Sequence, residues 1–580
     1  MLALELHRER VESVMSAESP SSAAEIVQSS GTGAQALLQV VGEWGVSHIF
    51  ACPGSTEAAF LYAAARQSEI DVLLTTHEAI AVSMADGFAR ATGRAAVAYL
   101  HANVGLTNGL SHLFAAQLAH SPVVILNGVK PTSIQNRGGF TTAPYMRDFV
   151  RQYVKSAWQT LSAEAIAEDV NRALKMALSA PAGPTWVGIA QDLLEARVEL
   201  PTLDTRRFDV ASRVRPSVQD VRRAADLLVS ADKIVVVAGA QVPLSGGEAA
   251  LVALAERLNV PVLHEDRRAM ERTAFPTDHP NFAGMYSPSR DCVKQADVIF
   301  FAGARGVVEF EPPVVPAIPS GAKVIHLYDD ANEIAKIYGV DVALVGDAAE
   351  TLREVNGVVA AAASDRPDKR QGFLEAARAE YRQVLRVALD SLPAGGEVIS
   401  VPELMKELAR HVDGNTTVVS DCTTSGEALL HAFQASRAIV HATPSGSLGW
   451  GVGAALGIQL AEPNRRVVAV LGDGAFQFGV PGLWTAVKYG IPVTFVVVNN
   501  QAYAAIGAAI RRYSGQLTDA ERALAVDLTG PGIADIARGF GVTSSRATTL
   551  AEVSSLMEAA LASSAPTLIE VMTDPEYLGP

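Results

Sequence analysis

A chain of 580 residues exceeds the size at which one hydrophobic core stops growing, about 250–300 residues, and therefore predicts several domains. Its formal net charge of −15 at pH 7 argues against a broadly basic surface, so neither nucleic acid nor an anionic membrane is expected as a partner. The three cysteines lack the spacing of paired zinc ligands and support neither a disulfide framework nor a thiolate metal site.

The first thirty residues mix charged side chains with Ser and Ala and contain no continuous apolar segment. They predict a flexible N-terminal extension over residues 1–30 rather than a secretory signal. Elsewhere the chain has no uninterrupted apolar run of about 18 residues, the length that a transmembrane helix needs. The sequence therefore predicts no transmembrane helix and a cytoplasmic location.

Short apolar runs alternate with helical segments along most of the chain, which is typical of parallel β-sheets covered by helices. The pattern divides into α/β domains over residues 31–200, 217–360 and 373–580, with a Pro-containing linker after the first and a polar linker over residues 361–372. The main strand candidates are HIFACPG, DVLLTT, AAVAYL, PVVILNG, PTWVGIA, KIVVVAGA, VPVLHED, ADVIFFAGA, AKVIHLYDD, TTVVSD, RAIVHA, RRVVAVLGDG, IPVTFVVVNN and PTLIEVM.

The clearest chemical pattern lies in the third domain, where two apolar strands end in polar residues. RVVAVLGDG ends with Asp473 between two glycines, and IPVTFVVVNN ends at Asn500. The residues between them are numerous enough for one helical crossover, so both side chains reach the same edge of the sheet. Open α/β sheets bind ligands at that edge.

The residue types at this edge suit a magnesium ion and a phosphate group. Asp473 offers a carboxylate, Asn500 an amide oxygen and Ala502 a main-chain carbonyl, and Mg²⁺ prefers such oxygen ligands. Gly472 and Gly474 let a phosphate approach the backbone closely. Each motif alone is equally well explained as a surface turn or a helix cap, but their occurrence at adjacent strand ends favours the metal site.

The Gly-Asp-Gly and Asn-Asn motifs at this spacing resemble the signature of thiamine-diphosphate-dependent enzymes. The resemblance extends from about residue 31 to 575 and is strongest to the acetolactate synthase and benzoylformate decarboxylase branch. It implies a pyrimidine-binding domain, a middle domain and a diphosphate-binding domain in this order, each with an open parallel sheet. It also implies thiamine diphosphate and Mg²⁺ as cofactors.

Glu78 matches the family's activating glutamate. In the family this residue begins the helix after the second strand and hydrogen-bonds the pyrimidine ring of the cofactor. A glutamate in the first turn of a helix is by itself usually a surface residue that stabilises the helix dipole. The downstream pattern A-x-x-x-A-D-G-x-A-R, present here in AVSMADGFAR, favours the catalytic role.

Two more residues match catalytic positions of the benzoylformate decarboxylase branch. Ser55, in ACPGSTEAAF, is expected by this resemblance to contact the substrate carboxylate, although it could simply cap a helix. His101, at the end of AAVAYLH, matches a catalytic histidine that relays protons, a role suited to imidazole near neutral pH. Its alternative explanation is a hydrogen-bonded core histidine.

Other residues match positions that surround the cofactor in the family. Gly446 is expected to present its carbonyl to the exocyclic amine, and Leu448 to hold the cofactor in its bent shape. Thr423 and Thr424 are expected to donate hydrogen bonds to the diphosphate, in keeping with phosphate binding at helix N-termini. The remaining residues expected to line the cofactor cleft are Asn103, Asn108 and Tyr503.

Some segments depart from the family pattern. The second histidine of the decarboxylase branch is replaced, its nearest match being Phe310. The segment FFAGARGVVEFEPP keeps Arg305 of the acetolactate synthase FAD motif but not the later part, so support for FAD is poor. Small residues in QAYAAIGAAI, where the branch has bulky rings, predict a larger or different substrate.

The leading hypothesis is a decarboxylase or carboligase that acts on a 2-oxo acid or an aldehyde, assembled as a homodimer or homotetramer. One alternative is a 2-hydroxyacyl-CoA or oxalyl-CoA lyase, which a basic nucleotide pocket would favour; Arg267 and Arg268 are weak candidates that read as solvated surface charges. Others are a hydrolase of cyclic diones and a non-catalytic regulatory homologue that binds the cofactor. The presence of both Glu78 and Asp473 argues against the last.

Overall fold

Three six-stranded β-sheets form the framework of the chain, and neighbouring strands within each are parallel. This confirms the predicted α/β class with three open parallel sheets. The computed structural model describes residues 30–201, 203–210, 213–309, 315–362, 367–390, 398–433 and 436–577. Residues 1–29 of the predicted extension, and Phe310, lie outside these ranges. Within them, no helix is both long and apolar enough to cross a membrane.

The strands of each sheet are given in spatial order. The first sheet comprises β3 (Asp71–Leu74), β2 (His48–Cys52), β4 (Ala96–His101), β5 (Val123–Val129), β7 (Thr185–Ala190) and β6 (Ser156–Gln159). The second comprises β11 (Phe282–Met285), β10 (Val262–His264), β9 (Ile234–Ala238), β12 (Val298–Ala302), β13 (Lys323–Tyr328) and β14 (Val342–Val345). The third comprises β16 (Ile439–Ala442), β15 (Thr416–Asp421), β17 (Arg466–Gly472), β18 (Thr494–Asn499), β20 (Thr567–Met572) and β19 (Thr543–Ala547). A separate antiparallel pair comprises β1 (Ser30–Thr32) and β8 (Arg197–Glu199).

Helices connect the strands and cover the sheets. In chain order they are α1 (Gly33–Glu43), α2 (Ala58–Ala64), α3 (Glu78–Thr92), α4 (Ala102–Leu118), α5 (Thr132–Gln135), α6 (Met146–Val150), α7 (Ile166–Leu178), α8 (Gln191–Glu195), α9 (Val218–Ser230), α10 (Gln241–Leu244), α11 (Glu248–Leu258), α12 (Asp291–Lys294), α13 (Ala348–Ala361), α14 (Pro367–Asp390), α15 (Val401–Arg410), α16 (Gly426–Phe433), α17 (Trp450–Ala461), α18 (Asp473–Gly479), α19 (Gly482–Tyr489), α20 (Ala504–Ser514), α21 (Asp519–Ala525), α22 (Ile533–Gly539) and α23 (Leu550–Ala562).

The first and third sheets have the same strand order when their strands are counted from the first in sequence. In each, the chain changes direction across the sheet between the first and third strands, which are β2 and β4 in one sheet and β15 and β17 in the other. The crevice beyond the carboxyl ends of strands at such a reversal is where open α/β sheets bind ligands. The topology therefore provides two equivalent crevices, one in each sheet.

Helices α3 and α17 join the first and third domains with their backbones in close contact. A Cβ atom added at Gly457 would lie 2.0 Å from the carbonyl oxygen of Met84, and one at Gly87 would lie 2.3 Å from that of Ala454. Only glycine permits this approach. Around the crossing, one continuous apolar core includes buried side chains of both domains, such as Trp450.

A buried polar network crosses the same interface. The guanidinium of Arg90 donates two hydrogen bonds of 2.8 Å to the carboxylate of Asp86. The indole of Trp450 and the hydroxyl of Ser121 donate to the same carboxylate over 2.7 and 2.5 Å. Arg90 also donates to the carbonyl oxygen of Ala442 over 2.8 Å. Because these charges are paired and hydrogen-bonded, the network orients the two helices without leaving a buried ion unpaired.

The polar stretch over residues 361–372, interpreted from sequence as a linker, differs from that interpretation because α14 begins inside it. The guanidinium of Arg370 is 1% exposed and donates to the carbonyl oxygens of Leu228, Ala231 and Leu258. These carbonyls lie at the C-terminal ends of α9 and α11, where a cation satisfies unpaired acceptors and the helix dipole. A charged side chain thus anchors α14 to the middle domain.

Because α3 and α17 cross so closely, replacing glycine by alanine should destabilise the protein at the crossing and stabilise it in an exposed helix elsewhere. Gly457→Ala is expected to destabilise the protein by about 1–3 kcal/mol, because the new methyl group overlaps the Met84 carbonyl. Gly357→Ala is the matched control, since α13 is exposed there and a Cβ would meet nothing within 4 Å. It should stabilise by about 0.5–1 kcal/mol. Unfolding midpoints from calorimetry check the order, and equal midpoints would contradict the close packing.

Candidate active site

Glu78 lies at the carboxyl edge of the first sheet, in the first turn of α3. The imidazole of His77 caps this helix by accepting a hydrogen bond of 3.1 Å from the Ala79 amide. The amide of Asn108 donates to the Glu78 carboxylate over 3.0 Å. Burial, together with the Glu78 charge, raises the pKa of the nearby Cys52 thiol to about 12. Among the described residues, no cation pairs with Glu78, so its charge stays available to a ligand.

Ser55 and His101 lie on either side of the crevice at the strand reversal of this sheet. Ser55 begins a short 3₁₀ turn directly after β2, where Gly54 rather than Ser55 occupies the capping position. The Ser55 side chain is exposed. His101 ends β4 and immediately precedes α4, and its side chain is 18% exposed. The capping role considered for Ser55 is therefore not what the structure shows.

The corner between β4 and α4 is strained and well supported. Ala102 has a φ of 48°, a left-handed conformation that costs energy for a residue with a Cβ. The amide of Asn127 donates to the carbonyl oxygens of Leu100 and Ala102 over 3.0 Å each, which holds the corner in place. Beside it, the buried Oδ1 of Asn103 has no hydrogen-bond partner.

The second half of the candidate site lies at the carboxyl edge of the third sheet. The main-chain N–H of Ala502 lies 3.3 Å from Oδ2 of Asp473 and 3.1 Å from Oδ1 of Asn500, so both oxygens converge on one atom. The Ala502 carbonyl accepts a bond of 2.8 Å from the Ala504 amide and keeps a second lone pair. Burial raises the pKa of Asp473 to about 6, and a bound cation would favour its ionised form.

The two glycines beside Asp473 and the ring of Tyr503 belong to the same edge. A Cβ added at Gly474 would lie 2.5 Å from the Tyr503 ring, so the aromatic side chain packs directly on the backbone after Asp473. Gly472 is the last residue of β17 and is partly exposed. The described residues contain no cluster of three His, Cys, Asp or Glu side chains that could hold a metal. The candidate cation site therefore depends on one carboxylate with amide and carbonyl oxygens.

Thr423 and Thr424 occupy the turn between β15 and α16. Their hydroxyl groups have no hydrogen-bond partner among the described residues. The guanidinium of Arg267, from the middle domain, donates to the carbonyl oxygen of Thr423 over 2.8 Å. Arg267 is thus attached to this turn and is not the solvated surface charge expected from the sequence.

Gly446 and Leu448 lie in the segment before α17. Gly446 is exposed and has a φ of 67°. The ring of His112, on α4, lies between the Leu448 carbonyl at 3.3 Å from Nε2 and the Ala79 carbonyl at 2.7 Å from Nδ1. Burial lowers the pKa of His112, and a neutral ring has one N–H, which the shorter contact places on Nδ1. Leu448 and Ala79, which follows Glu78, therefore lie on opposite sides of one imidazole ring within the same chain.

A separate cavity of about 810 Å³ lies at the carboxyl edge of the middle-domain sheet, and first-domain residues such as Phe114 and His120 line its other side. Its lining mixes cations such as Arg268 and Lys336 with acids such as Glu309 and Asp330. Arg305 also lines this cavity, but its guanidinium is paired with Glu271 at 2.6 Å. Arg305, which belongs to the incomplete FAD motif, is therefore already paired with a carboxylate of its own domain.

Two buried carboxyl groups near these edges escaped the sequence analysis. Glu57 is fully buried and contacts His101. Asp421 ends β15 and accepts a hydrogen bond of 3.0 Å from the Gly451 amide at the start of α17, and burial raises its pKa to about 6. Both border an apolar run, in STEAAF and TTVVSD, which is a signal of burial but does not identify the partner of either carboxyl group.

The chain belongs to the thiamine pyrophosphate enzyme family. Three family models match it in order: the N-terminal TPP binding domain at residues 31–149, the central domain at 221–355 and the C-terminal TPP binding domain at 421–571. Together they cover more than half of the chain. Both crevices described above lie in the segments matched by the TPP binding domains. The buried, unpartnered Asn103 oxygen in the first crevice fits a polar group of such a cofactor.

The chain is similar to several proteins with related names, and the similarity extends over most of each of them. The chain is 29% identical to acetolactate synthase isozyme 3 large subunit of Escherichia coli, over 81% of this chain and 82% of that protein. It is 28% identical to benzoylformate decarboxylase of Pseudomonas aeruginosa, over 93% and 98%. The structure of a thiamine diphosphate-dependent 4-hydroxybenzoylformate decarboxylase from Rhodococcus jostii superposes with a TM-score of 0.81 at 27% identity, over 94% and 99%.

Proposed function

We propose that this chain decarboxylates a 2-oxo acid, or joins the resulting fragment to an aldehyde, with thiamine diphosphate and Mg²⁺ bound between a first and a third domain. The observation that carries the proposal is the carboxylate of Glu78, held by Asn108 at a crevice edge and unpaired with any described cation. A lone surface glutamate needs no such support. A glutamate that must hold a proton on the cofactor's pyrimidine ring does.

The other site residues divide between holding the cofactor and handling the substrate. When bound, thiamine diphosphate supplies a nucleophilic carbon that adds to the 2-oxo carbon and accepts negative charge as carbon dioxide leaves. Asp473, Asn500 and the Ala502 carbonyl would hold Mg²⁺ against the diphosphate. The Thr423 and Thr424 hydroxyls would donate to phosphate oxygens.

Substrate handling falls to the edge of the first sheet. The exposed hydroxyl of Ser55 would donate to the substrate carboxylate, and His101 would hold or deliver a proton at the substrate oxygen. Gly446 and Leu448 would orient the cofactor's pyrimidine ring. The small residues that begin α20 leave room for a bulky substrate side chain. Next to Tyr503, Ala504 is buried and Ala505 is exposed.

A second candidate is carbon–carbon cleavage of a 2-hydroxyacyl-CoA or of oxalyl-CoA, which the middle-domain cavity favours. It lies at the carboxyl edge of its sheet, where nucleotides bind in α/β domains. Its mixed lining gives less attraction to phosphates than a basic pocket would. Release of an aldehyde and formyl-CoA from a 2-hydroxyacyl-CoA, without carbon dioxide release from any 2-oxo acid, would favour this candidate.

We also propose that the working enzyme is a homodimer or a pair of dimers. Large apolar side chains are exposed next to site residues, including Val104 beside Asn103 and Phe478 on α18. Exposed apolar groups that adjoin a site are typical of surfaces covered by a partner. In the resembled family the two halves of each site come from different subunits. His112 brings Leu448 near the start of α3 within one chain, so the origin of each half needs a direct test.

Glu78→Gln is expected to lower kcat by about 100-fold or more while the fold is retained. The amide cannot stabilise a protonated pyrimidine nitrogen as the carboxylate does. Carbon dioxide release from 2-oxo acids measures the effect. Glu168→Gln, another first-turn glutamate, on the exposed face of α7, is the control and should keep full activity. Full activity of Glu78→Gln would exclude the proposed mechanism.

Removal of divalent cations is expected to release thiamine diphosphate, because anionic phosphate oxygens would then face the Asp473 carboxylate directly. Calorimetric titration after exhaustive EDTA treatment should show cofactor affinity at least about tenfold weaker, restored by Mg²⁺. Asp473→Ala should bind weakly with or without Mg²⁺, whereas Asp535→Ala, on the surface of α22, should behave as wild type. Cofactor binding that ignores the cation would contradict this site.

Mixing inactive Glu78→Gln and Asp473→Ala chains tests whether each site is shared by two subunits. With random exchange, half of the dimers are mixed and each has one intact site, so activity should recover to about a quarter of wild type. Native mass spectrometry confirms the exchange. Mixed dimers without activity would show that both ends of the cofactor are held by one chain.

A further inference from the structure

Glu57 is a fully buried carboxyl group beside the candidate catalytic histidine, and the proposed catalytic steps leave it without a role. It ends the 3₁₀ turn that begins at Ser55. Its Oε2 accepts a bond of 2.6 Å from the Gly54 amide and lies 2.9 Å from Nδ1 of His101. Its Oε1 accepts a hydrogen bond from the Thr56 hydroxyl. Three donors converge on the carboxyl group, which is the arrangement that a carboxylate anion requires when buried.

This contact determines which nitrogen of His101 carries the proton. A carboxylate only accepts hydrogen bonds, so Nδ1 must be the donor, and Thr56 Oγ1 at 2.9 Å can share that proton. Nε2, on the opposite edge of the ring, has no partner among the described residues and keeps its lone pair. His101 is therefore prepared to accept a proton at Nε2 and to return it.

The backbone beneath the ring allows this orientation. A Cβ added at Gly54 would lie 2.5 Å from Nδ1 and Cγ of His101, so the ring packs directly on the main chain after β2. With Glu57 on one edge and Gly54 against its face, the imidazole has little freedom to rotate. The segment Gly54–Glu57 thus carries both the hydroxyl group of Ser55 and the support for His101.

We propose that Glu57 is a positioning residue that fixes the tautomer and the ring orientation of His101. This inference rests on the proposed function, in which His101 handles a proton at the substrate. Without a group at Nδ1 that can only accept, the ring proton would no longer be confined to Nδ1. The consequence is a less available lone pair at Nε2, and through it a loss of turnover.

The other titratable groups around the pair come from three elements. Cys52 lies at the end of β2, Tyr99 within β4 and Glu78 at the start of α3. Burial raises the pKa of Cys52 to about 12 and that of Tyr99 well above its usual value, so both stay neutral near pH 7. Glu78 is hydrogen-bonded by Asn108. A change in the reactivity of His101 Nε2 on neutralising Glu57 is therefore attributable to Glu57 itself.

The availability of the Nε2 lone pair of His101 can be measured without turnover by acylation with diethyl pyrocarbonate, which reacts with an unprotonated ring nitrogen. Mass spectrometry of the peptide that contains His101 gives the rate at each pH in the full-length holoenzyme. Near neutral pH the rate is expected to be about threefold or more lower in Glu57→Gln than in wild type, because the amide can donate to Nδ1 and move the ring proton to Nε2. Glu407→Gln is the matched control, since it disrupts a Glu–His pair with His411 at the end of the distant α15 and should leave the His101 profile unchanged. Identical profiles in wild type and Glu57→Gln, or no acylation of His101 at any pH, would overturn the proposal.

A kinetic cycle separates positioning from a general structural role. Glu57→Gln is expected to lower kcat about tenfold or more near neutral pH, with a small change in KM. In a His101→Ala background the same substitution should change kcat less than about twofold, because its effect passes through the imidazole. Equal losses in both backgrounds would contradict the proposal. If wild type released no carbon dioxide from any 2-oxo acid, the proposed function would fail, and the acylation profiles would still decide the role of Glu57.

Discussion

The structure depends on how closely α3 and α17 approach each other. Their backbones touch where a Cβ at Gly457 would lie 2.0 Å from a carbonyl oxygen, so glycine is needed at the crossing. Each helix begins at the candidate site, α3 at Glu78 and α17 just after Leu448. A rigid crossing therefore fixes how the two helix ends that carry Glu78 and Leu448 are oriented within one chain.

Buried polar groups add orientation to this contact. The Asp86 carboxylate accepts hydrogen bonds from Arg90, Trp450 and Ser121, so the helices have one favoured rotation about the crossing. His112 adds a contact nearer the site, between the carbonyls of Ala79 and Leu448. Apolar packing alone would tolerate small shifts, whereas these directional bonds do not. The relative orientation of α3 and α17 thus comes from polar contacts within an apolar core.

The sequence predicted the central strands, because buried parallel strands are continuous apolar runs. It also predicted polar residues at the carboxyl ends of two of them, Asp473 and Asn500. It missed the short β1–β8 pair and, in the three parallel sheets, β6, β11, β14 and β19, which all lie at sheet edges and have weaker apolar patterns. Glu57 was missed because one sequence does not show that a glutamate beside Ser55 turns inward to meet His101. Arg370 was assigned to a linker because its hydrogen-bond acceptors, which are carbonyl oxygens at the ends of two helices, are brought together only by the tertiary fold. Pairings between distant segments are what the sequence pattern cannot provide.

Carbon dioxide release from a panel of 2-oxo acids tests the central claim most directly. The panel should span small aliphatic and bulky aromatic side chains, with parallel assays of a 2-hydroxyacyl-CoA and a cyclic dione. The account predicts that at least one 2-oxo acid releases carbon dioxide, that release requires both thiamine diphosphate and Mg²⁺, and that bulkier acids are favoured. Absence of release across the panel from folded, cofactor-loaded enzyme would contradict it.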